Sequence, residues 1–265
     1  GQYATINNEW CQPELITKIP PVYSDGDLLD SIVGISANEF KKRCINQYKR
    51  YVTHNSAQLQ FSEDTRTLAN LSCAFDCLEN LQATHYCLQT AYQKKENITR
   101  EQAFAAFLDV YLPDDFHNYL KDFPVNHPLA LYCYNYRNVV MDLYDTHKDP
   151  LAYEKNLLKN APLTKEEQTL IHQYETAFKA GISFQQESEL MALSAKYFKE
   201  NDLFRWESFS KAKERLSNII QDSTSLIVDY IRAIYMRSSF YNLQPLTPRQ
   251  ELMASEITNP IFLGI

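Results

Sequence analysis

A stretch without glycine, from residue 35 to residue 180, sets the first limit on how this chain can fold. The 265 residues contain only five glycines, well below the average share of about 7%. Glycine adopts positive φ angles and lets a backbone approach a ligand closely. Phosphate-binding loops, dinucleotide-binding turns and nucleophile elbows depend on glycines at fixed spacing, and none of these motifs occurs here. The sequence therefore excludes the enzyme classes that are built on them.

Helix-start signals recur along the chain. In a capping box, a Ser or Thr and a Glu or Gln three residues later satisfy exposed helix amides reciprocally. Such boxes begin at Ser36, Thr99, Thr164, Ser183 and Thr247. No alternating strand pattern and no Asn-Gly hairpin signal accompanies them. These signals favour helices throughout.

The pattern predicts an all-α protein, a multi-helix bundle of about nine or ten helices with an irregular N-terminal segment and no significant sheet. The expected helices span residues 37–52, 64–94, 100–111, 114–122, 128–146, 150–159, 165–179, 184–200, 203–240 and 248–256. We expect a single all-α domain over residues 1–265. It comprises an irregular N-terminal arm (1–26), a cysteine-containing helical half (27–146) and a cysteine-free helical half (147–265).

The expected helix 64–94 carries apolar residues on two sides, which is typical of a helix at the centre of a bundle. Leu68, Leu71 and Phe75 line one face, and Gln82 interrupts the same face further along. The Gln82 amide is expected either to lie where the helix is buried on one side only or to find a partner inside the protein.

Six cysteines lie in the first half of the chain or at its edge: Cys11, Cys44, Cys73, Cys77, Cys87 and Cys133. On one straight helix, Cys73, Cys77 and Cys87 share a stripe about 80° wide. We expect disulfides from this stripe to the other three cysteines, although the sequence does not choose the connectivity. Free buried thiols are the alternative. We expect no metal site, because no histidine or second cysteine pair follows at zinc-finger spacing.

The even cysteine count and the first residues favour an exported protein, periplasmic or secreted, with a cytoplasmic location as the alternative. The sequence begins Gly1-Gln2-Tyr3, which fits either the remnant of an expression tag or a mature end after signal removal. No run of about 20 apolar residues occurs, so no transmembrane segment is expected. The net charge of −7 argues against nucleic-acid binding, which needs a basic surface.

One short acidic motif, Asp114-Asp115-Phe116-His117, is a weak candidate for a site. Asp114 and His117 are three residues apart at an expected helix start, so they could share a metal ion or a proton. The competing interpretation is that Asp114 and Asp115 complement the positive N-terminal end of that helix. We favour this second interpretation.

A basic cluster on the first long helix is a second weak candidate, for an anionic partner. It consists of Lys41, Lys42, Arg43, Lys49 and Arg50. Such runs are more often a solvated helix face than a binding site.

These observations favour a non-catalytic protein-binding or scaffold module, with another protein as partner and no cofactor or catalytic residue assigned. The alternatives are a hydrolase-type enzyme with an unrecognised site, and a carrier that holds an apolar ligand between helices. A scaffold should present an apolar patch or groove with a polar rim. A carrier should enclose an apolar cavity of about 300 Å³ or more. An enzyme should gather carboxylates, histidines or cysteines in a pocket.

Overall fold

The described part of this protein is all-α, as predicted, and contains no β-strand. The computed structural model describes residues 2–22, 26–106, 116–145, 162–180, 202–221, 225–241 and 243–262, and isolated positions between 182 and 196. The α-helices are α1 (Gln2–Glu9), α2 (Gly26–Ser31), α3 (Ala37–Ser56), α4 (Glu63–Gln82), α5 (Thr84–Glu96), α6 (Arg100–Ala106), α7 (Tyr136–Asp145), α8 (Lys165–Lys179), α9 (Asp202–Ile220), α10 (Leu226–Tyr241) and α11 (Pro248–Ser255). Two 3-10 helices, Phe116–Asp122 and Pro128–Tyr132, lie between α6 and α7.

Capping explains where several helices begin. The Ser36 hydroxyl accepts a hydrogen bond from the Glu39 amide at 3.1 Å, which starts α3. Reciprocal capping boxes form at Thr99, Thr164 and Thr247, at the starts of α6, α8 and α11. Each box satisfies amides that have no partner within the helix. The Ser183 box lies outside the described residues.

The long helix expected at 64–94 is in fact two helices, α4 and α5, which meet at Ala83. The backbone of Ala83 has ψ 6°, away from helical values. The Thr84 hydroxyl donates to the Leu81 carbonyl and stabilises this break. The interruption at Gln82 therefore coincides with the end of α4. Its amide does find a partner inside, because Gln82 Nε2 donates to the Val139 carbonyl at 2.8 Å.

Other boundaries also differ from the prediction. The arm is not irregular throughout, because residues 2–9 form α1, and the Glu9 carboxylate accepts from the Ser62 amide and hydroxyl at 3.0 and 2.7 Å. The region expected as one helix at 203–240 forms α9 and α10. Gln221 ends α9 in the left-handed conformation, with φ 57°. The expected helix 150–159 and most of 184–200 lie outside the described residues.

The helix α4 is the centre of the core, packing against α3 and α7. Phe75, Leu78 and Leu81 on this helix are completely buried. Aromatic rings extend the core from α4 through α7 to α10: the Phe75 and Tyr136 ring centroids lie 4.9 Å apart, and those of Tyr136 and Tyr230 lie 5.3 Å apart. Edge-on aromatic contacts of this kind favour a fixed orientation of the helices.

No helix in the described ranges combines the length and the hydrophobicity that crossing a bilayer requires.

Candidate functional site

The six predicted disulfide cysteines are free thiols in this structure. Cys11 is exposed and the other five are buried. The break at Ala83 places Cys87 on α5, so the three central cysteines do not share one helix stripe. The expected bridges from a single central helix are therefore not formed. For the five buried cysteines, the structure agrees with the alternative interpretation, in which free thiols act as small buried side chains.

The buried thiols lie close to one another and to backbone acceptors. Cys77 lies near Cys44 and Cys73, so ionisation of any one of these thiols would disfavour ionisation of the others. The Cys73 thiol donates to the Ile16 carbonyl at 3.0 Å. Burial raises the pKa of Cys44 and Cys73 to about 12, which suppresses the reactive thiolate. The argument for export from cysteine pairing loses its support, and export itself stays a prediction.

The weak acidic motif is only partly covered by the structure. Asp114 and Asp115 lie outside the described residues. His117 belongs to the 3-10 helix Phe116–Asp122 rather than to the expected α-helix, and its side chain is not among the described ones. Within the described residues, no group of three or more His, Cys, Asp or Glu side chains is arranged to hold a metal ion.

The basic cluster on α3 is divided between two roles. Lys41 Nζ donates to the Phe116 carbonyl at 3.2 Å and stands 4.8 Å from the centre of the Phe116 ring. Arg43 pairs with Glu39 and donates to the Ser31 carbonyl at 2.8 Å. These two cations therefore hold neighbouring segments against α3. Lys42, Lys49 and Arg50 are exposed, and a role for them with an anionic partner stays a prediction.

A non-helical strap, residues 16–22, crosses the face of α3 and α4 and is held by helix side chains. The Asn55 amide accepts from the Ile16 amide and donates to the Ile16 carbonyl, both at 2.9 Å. Asn80 accepts from the Val22 amide at 2.9 Å and donates to the Pro20 carbonyl at 3.2 Å. Buried backbone groups need such partners, so these amides take the place of a neighbouring strand.

Asp76 is the centre of the contacts under the strap. Its carboxylate accepts from the Ile19 amide and from Asn135 Nδ2, each at 2.7 Å. Burial raises its pKa to about 6, although these two hydrogen bonds act in the opposite direction. Asp76 was not among the candidate site residues expected from the sequence. A signal was present, because Ser72, Asp76 and Asn80 form a polar stripe at four-residue spacing on a helix whose buried positions are mostly apolar.

A partly open apolar groove lies along α10. Its volume is about 610 Å³. Tyr230, Ala233, Ile234, Arg237 and Phe240 line one side of it. These positions share one face of α10 and extend for about 15 Å along its axis, at 1.5 Å per residue. The groove is therefore long and straight rather than spherical.

The opposite wall of the groove comes from the last part of the chain. Leu246 precedes α11, Ala254 lies on it, and Ile257 and Phe262 follow it. The Phe262 ring centroid lies 5.9 Å from that of Tyr230 and closes one end of the floor. The same elements expose further apolar side chains to solvent, with Leu243 94% exposed and Leu252 and Ile261 about half exposed.

A buried carboxylate anchors this second wall. Asp229, which is completely buried on α10, accepts from the Thr258 amide at 3.0 Å and from the Asn259 amide at 2.8 Å. Its other oxygen pairs with Arg232, whose second guanidinium nitrogen lies 3.1 Å from Glu256. The segment after α11 is therefore fixed to α10 by charge-assisted hydrogen bonds.

The network ends at the surface with Lys213 of α9, whose ammonium group lies 2.7 Å from Glu256. The hydrogen bond from Lys213, followed by the contact with Arg232, lowers the pKa of Glu256. Neither acid of the network, Asp229 or Glu256, lines the groove. The groove is thus preorganised by contacts that leave its lining apolar.

The positive charge of the groove is concentrated near Tyr230. Arg137 of α7 and Arg237 of α10 both line the groove. Burial raises the pKa of the Tyr230 hydroxyl, and the charges of the two arginines act against this shift. Among the described lining residues there is no histidine, cysteine or carboxylate. The arrangement fits recognition of an apolar surface rather than acid–base or nucleophilic chemistry at this place.

Comparisons with known proteins do not extend these findings. No protein-family model matches the chain, no curated protein matches it significantly, and no solved structure matches it significantly. Fold and site together define an all-α protein with an open, preorganised apolar groove. Its function has to be argued from that groove.

Proposed function

We propose that this protein is a non-catalytic protein-binding module whose binding site is the groove between α7, α10 and α11. The occupant is the apolar face of an amphipathic helix on a partner protein. The observation that carries this proposal is the shape of the lining, an apolar face that extends for about three turns along α10. Helix-in-groove recognition uses side chains at i, i+3, i+4 and i+7 that enter such a groove.

The surroundings of the groove support a protein rather than a small molecule as the occupant. The groove is partly open to solvent, exposed Phe240 lies in its lining, and Leu243 and Ile261 expose further apolar side chains on the segments that flank α11. Exposed apolar surface of this kind is typical of protein interaction sites. A small ligand in the groove would leave these side chains in water.

A carrier function is the second candidate, and the volume favours it. The groove measures about 610 Å³, within the range of about 300–1,000 Å³ that small-molecule sites occupy. An enclosed cavity would make this candidate the stronger one. The open side of the groove is the reason to prefer a helix.

The proposal is tested with a neutral probe peptide of fourteen residues, acetylated and amidated, with leucines at i, i+3, i+4 and i+7 and Ala and Gln elsewhere. Calorimetric titration of the full chain should give a dissociation constant of about 10–100 µM, typical of a small apolar interface. Ala233→Trp fills the groove and should weaken binding at least about tenfold, since packing at the centre of an interface dominates affinity.

The control is Ala106→Trp, an exposed alanine of α6 that does not line the groove. Thermal melts of both variants establish that each is folded. The proposal fails if the peptide does not bind, or if Ala233→Trp and Ala106→Trp bind it equally. A third outcome would support the carrier function instead of peptide binding. In that outcome dodecanol binds, Ala233→Trp abolishes its binding, and the peptide does not bind.

A further inference from the structure

We propose that the groove selects a helix with acidic side chains at the end of its apolar face that lies against Tyr230. This inference rests on the proposed function and adds the chemistry of the partner. Two arginines from different helices converge at one end of the groove, while the remaining lining is apolar. The site therefore has a charged end and an uncharged end.

The positions of the two arginines follow from helix geometry. Arg237 lies seven residues after Tyr230 on α10, which places both on the same face. The charge of Arg237 acts on the Tyr230 hydroxyl, which agrees with the tendency of long helical side chains to lean toward the helix N-terminus. Arg137 approaches from α7, and both charges act on the Tyr230 hydroxyl. Their fields add at this end of the groove.

Acidic groups are the natural complement of this end. The chain as a whole carries a net charge of −7. The charge at this end of the groove is therefore opposite in sign to the net charge of the protein. No carboxylate lines the groove among the described residues, and Arg137, which is exposed, makes no ion pair with any of them. Guanidinium groups bind carboxylates through two parallel hydrogen bonds, which gives direction as well as affinity.

The difference in charge between the two ends of the groove also determines the direction in which the partner helix lies. Glutamates at one end of the apolar face would meet Arg137, the charge of Arg237 would add to the attraction, and the apolar residues would lie toward Phe240. Charged pairs at the edge of an interface contribute mainly to specificity and to association rate. Burial of apolar surface supplies the affinity. The arginines favour those apolar helices that also carry acidic side chains.

The test compares three forms of the probe peptide that share the same leucines and carry two glutamates, two glutamines or two lysines beside one end of the leucine stripe. At low salt the glutamate peptide should bind about tenfold more tightly than the glutamine peptide, and the lysine peptide more weakly than both. The preference should fall at 0.5 M salt because exposed charges are screened.

Arg137→Gln should reduce the ratio of glutamate to glutamine affinity by at least about threefold, and adding Arg237→Gln should bring it near one. The matched control is the double variant Arg100→Gln, Lys121→Gln, which removes two exposed positive charges outside the groove and outside the basic cluster of α3 and should leave the ratio unchanged. Since Arg137 is exposed, its single variant keeps the test valid if the double variant unfolds.

The outcomes separate this inference from the function on which it rests. If all three peptides bind equally and Ala233→Trp abolishes binding, the groove is a docking site without acid selection, and this inference alone is overturned. If no peptide binds, the proposed function fails as well. If dodecanoate binds through Arg137 more tightly than the glutamate peptide, the carboxylate comes from an amphiphile, and the helix is not the occupant.

Discussion

Two helix faces differ in whether the chain itself covers them: the face of α4 beneath the strap and the face of α10 in the groove. Both belong to long helices that expose one side after the bundle has packed. On α4, residues 16–22 of the same chain cover that side, and Asn55, Asp76 and Asn80 satisfy the backbone of the strap. On α10, the described part of the chain leaves the corresponding side open.

The difference lies in the side chains that each face presents. Beneath the strap, buried amides and a carboxylate are placed to bind the amides and carbonyls of a non-helical segment. In the groove, alanines and branched aliphatic side chains offer volume but few hydrogen bonds. A helix needs no backbone partners from outside, because its own hydrogen bonds are internal. The two faces are thus suited to different occupants, an extended segment on α4 and a helix on α10.

Thiol accessibility provides the largest expected contrast. Cys11 is exposed, whereas Cys44, Cys73, Cys77, Cys87 and Cys133 are buried. Buried thiols react only when the structure opens, so their alkylation should be at least about a thousandfold slower than that of Cys11 for an ordinary domain stability. Intact-mass spectrometry of the native protein with iodoacetamide, without reductant, should show one fast adduct. Denaturation without reductant should then give six labelled thiols, and fewer would mean that disulfides exist and that export regains its support.

The wall of the groove should be the site most sensitive to a single substitution. Asp229→Ala removes the acceptor of the Thr258 and Asn259 amides and leaves Arg232 with Glu256 alone. Loss of one partner of a buried pair costs about 3–5 kcal/mol of unfolding free energy. Urea denaturation measures the loss, with Glu251→Ala, exposed on α11, as the control. A loss below about 1 kcal/mol would show that the wall is held by packing alone.

Removing one amide beneath the strap should have a smaller effect. Asn80→Ala leaves the Val22 amide and the Pro20 carbonyl without partners. Unsatisfied buried groups cost about 1–3 kcal/mol, so we expect a loss near 2 kcal/mol and faster hydrogen exchange at Val22. Asn46→Ala, exposed on α3, is the matched control. Unchanged exchange at Val22 would mean that the strap is held by its apolar side chains.

Much of the fold could be predicted from the sequence because its signals are local. The capping boxes at Thr99, Thr164 and Thr247 each depend on residues three apart. The break at Ala83 was visible only as the interruption at Gln82 and was not assigned, because it depends on the bond between Thr84 and Leu81. Helix starts and breaks of this kind depend on residues that are close together in the chain, so they can be predicted from the sequence.

The candidate site could not be predicted in the same way. Arg137 and Arg237 are a hundred residues apart in the sequence, and only the packing of α7 on α10 brings them to one groove. The strap contacts likewise join residues 16–22 to side chains on α3 and α4. A sequence pattern shows which face of a helix is apolar but not which distant segment covers it. The cysteine stripe failed for a related reason, since it assumed a straight helix through Ala83.

The pH dependence of stability tests the charge beneath the strap. Because burial raises the folded-state pKa of Asp76 to about 6, the folded protein binds more protons than the unfolded one between about pH 4 and pH 7. Stability should therefore rise by about 1 kcal/mol as the pH falls from 8 to 5, after allowance for solvent screening. Asp76→Asn should flatten most of this rise, with the remainder expected from Glu79, whose pKa is also raised by burial. Glu63→Gln, exposed on α4, should leave it intact, and a wild-type profile that falls toward pH 5 would contradict the assignment.

The smallest change in stability is expected for a substitution in the groove. A small change would indicate that this apolar face serves a partner and does not contribute to the packing of the bundle. Phe240 is 41% exposed on the groove rim, so Phe240→Ser should change the free energy of unfolding by less than about 0.5 kcal/mol. The same substitution at Phe75, which is completely buried, should cost several kcal/mol. Urea denaturation measures both, and titration with the glutamate peptide should show weakened binding for Phe240→Ser. A large loss of stability at Phe240 would mean that this side chain supports the bundle, and the difference between the covered and the open face would then disappear.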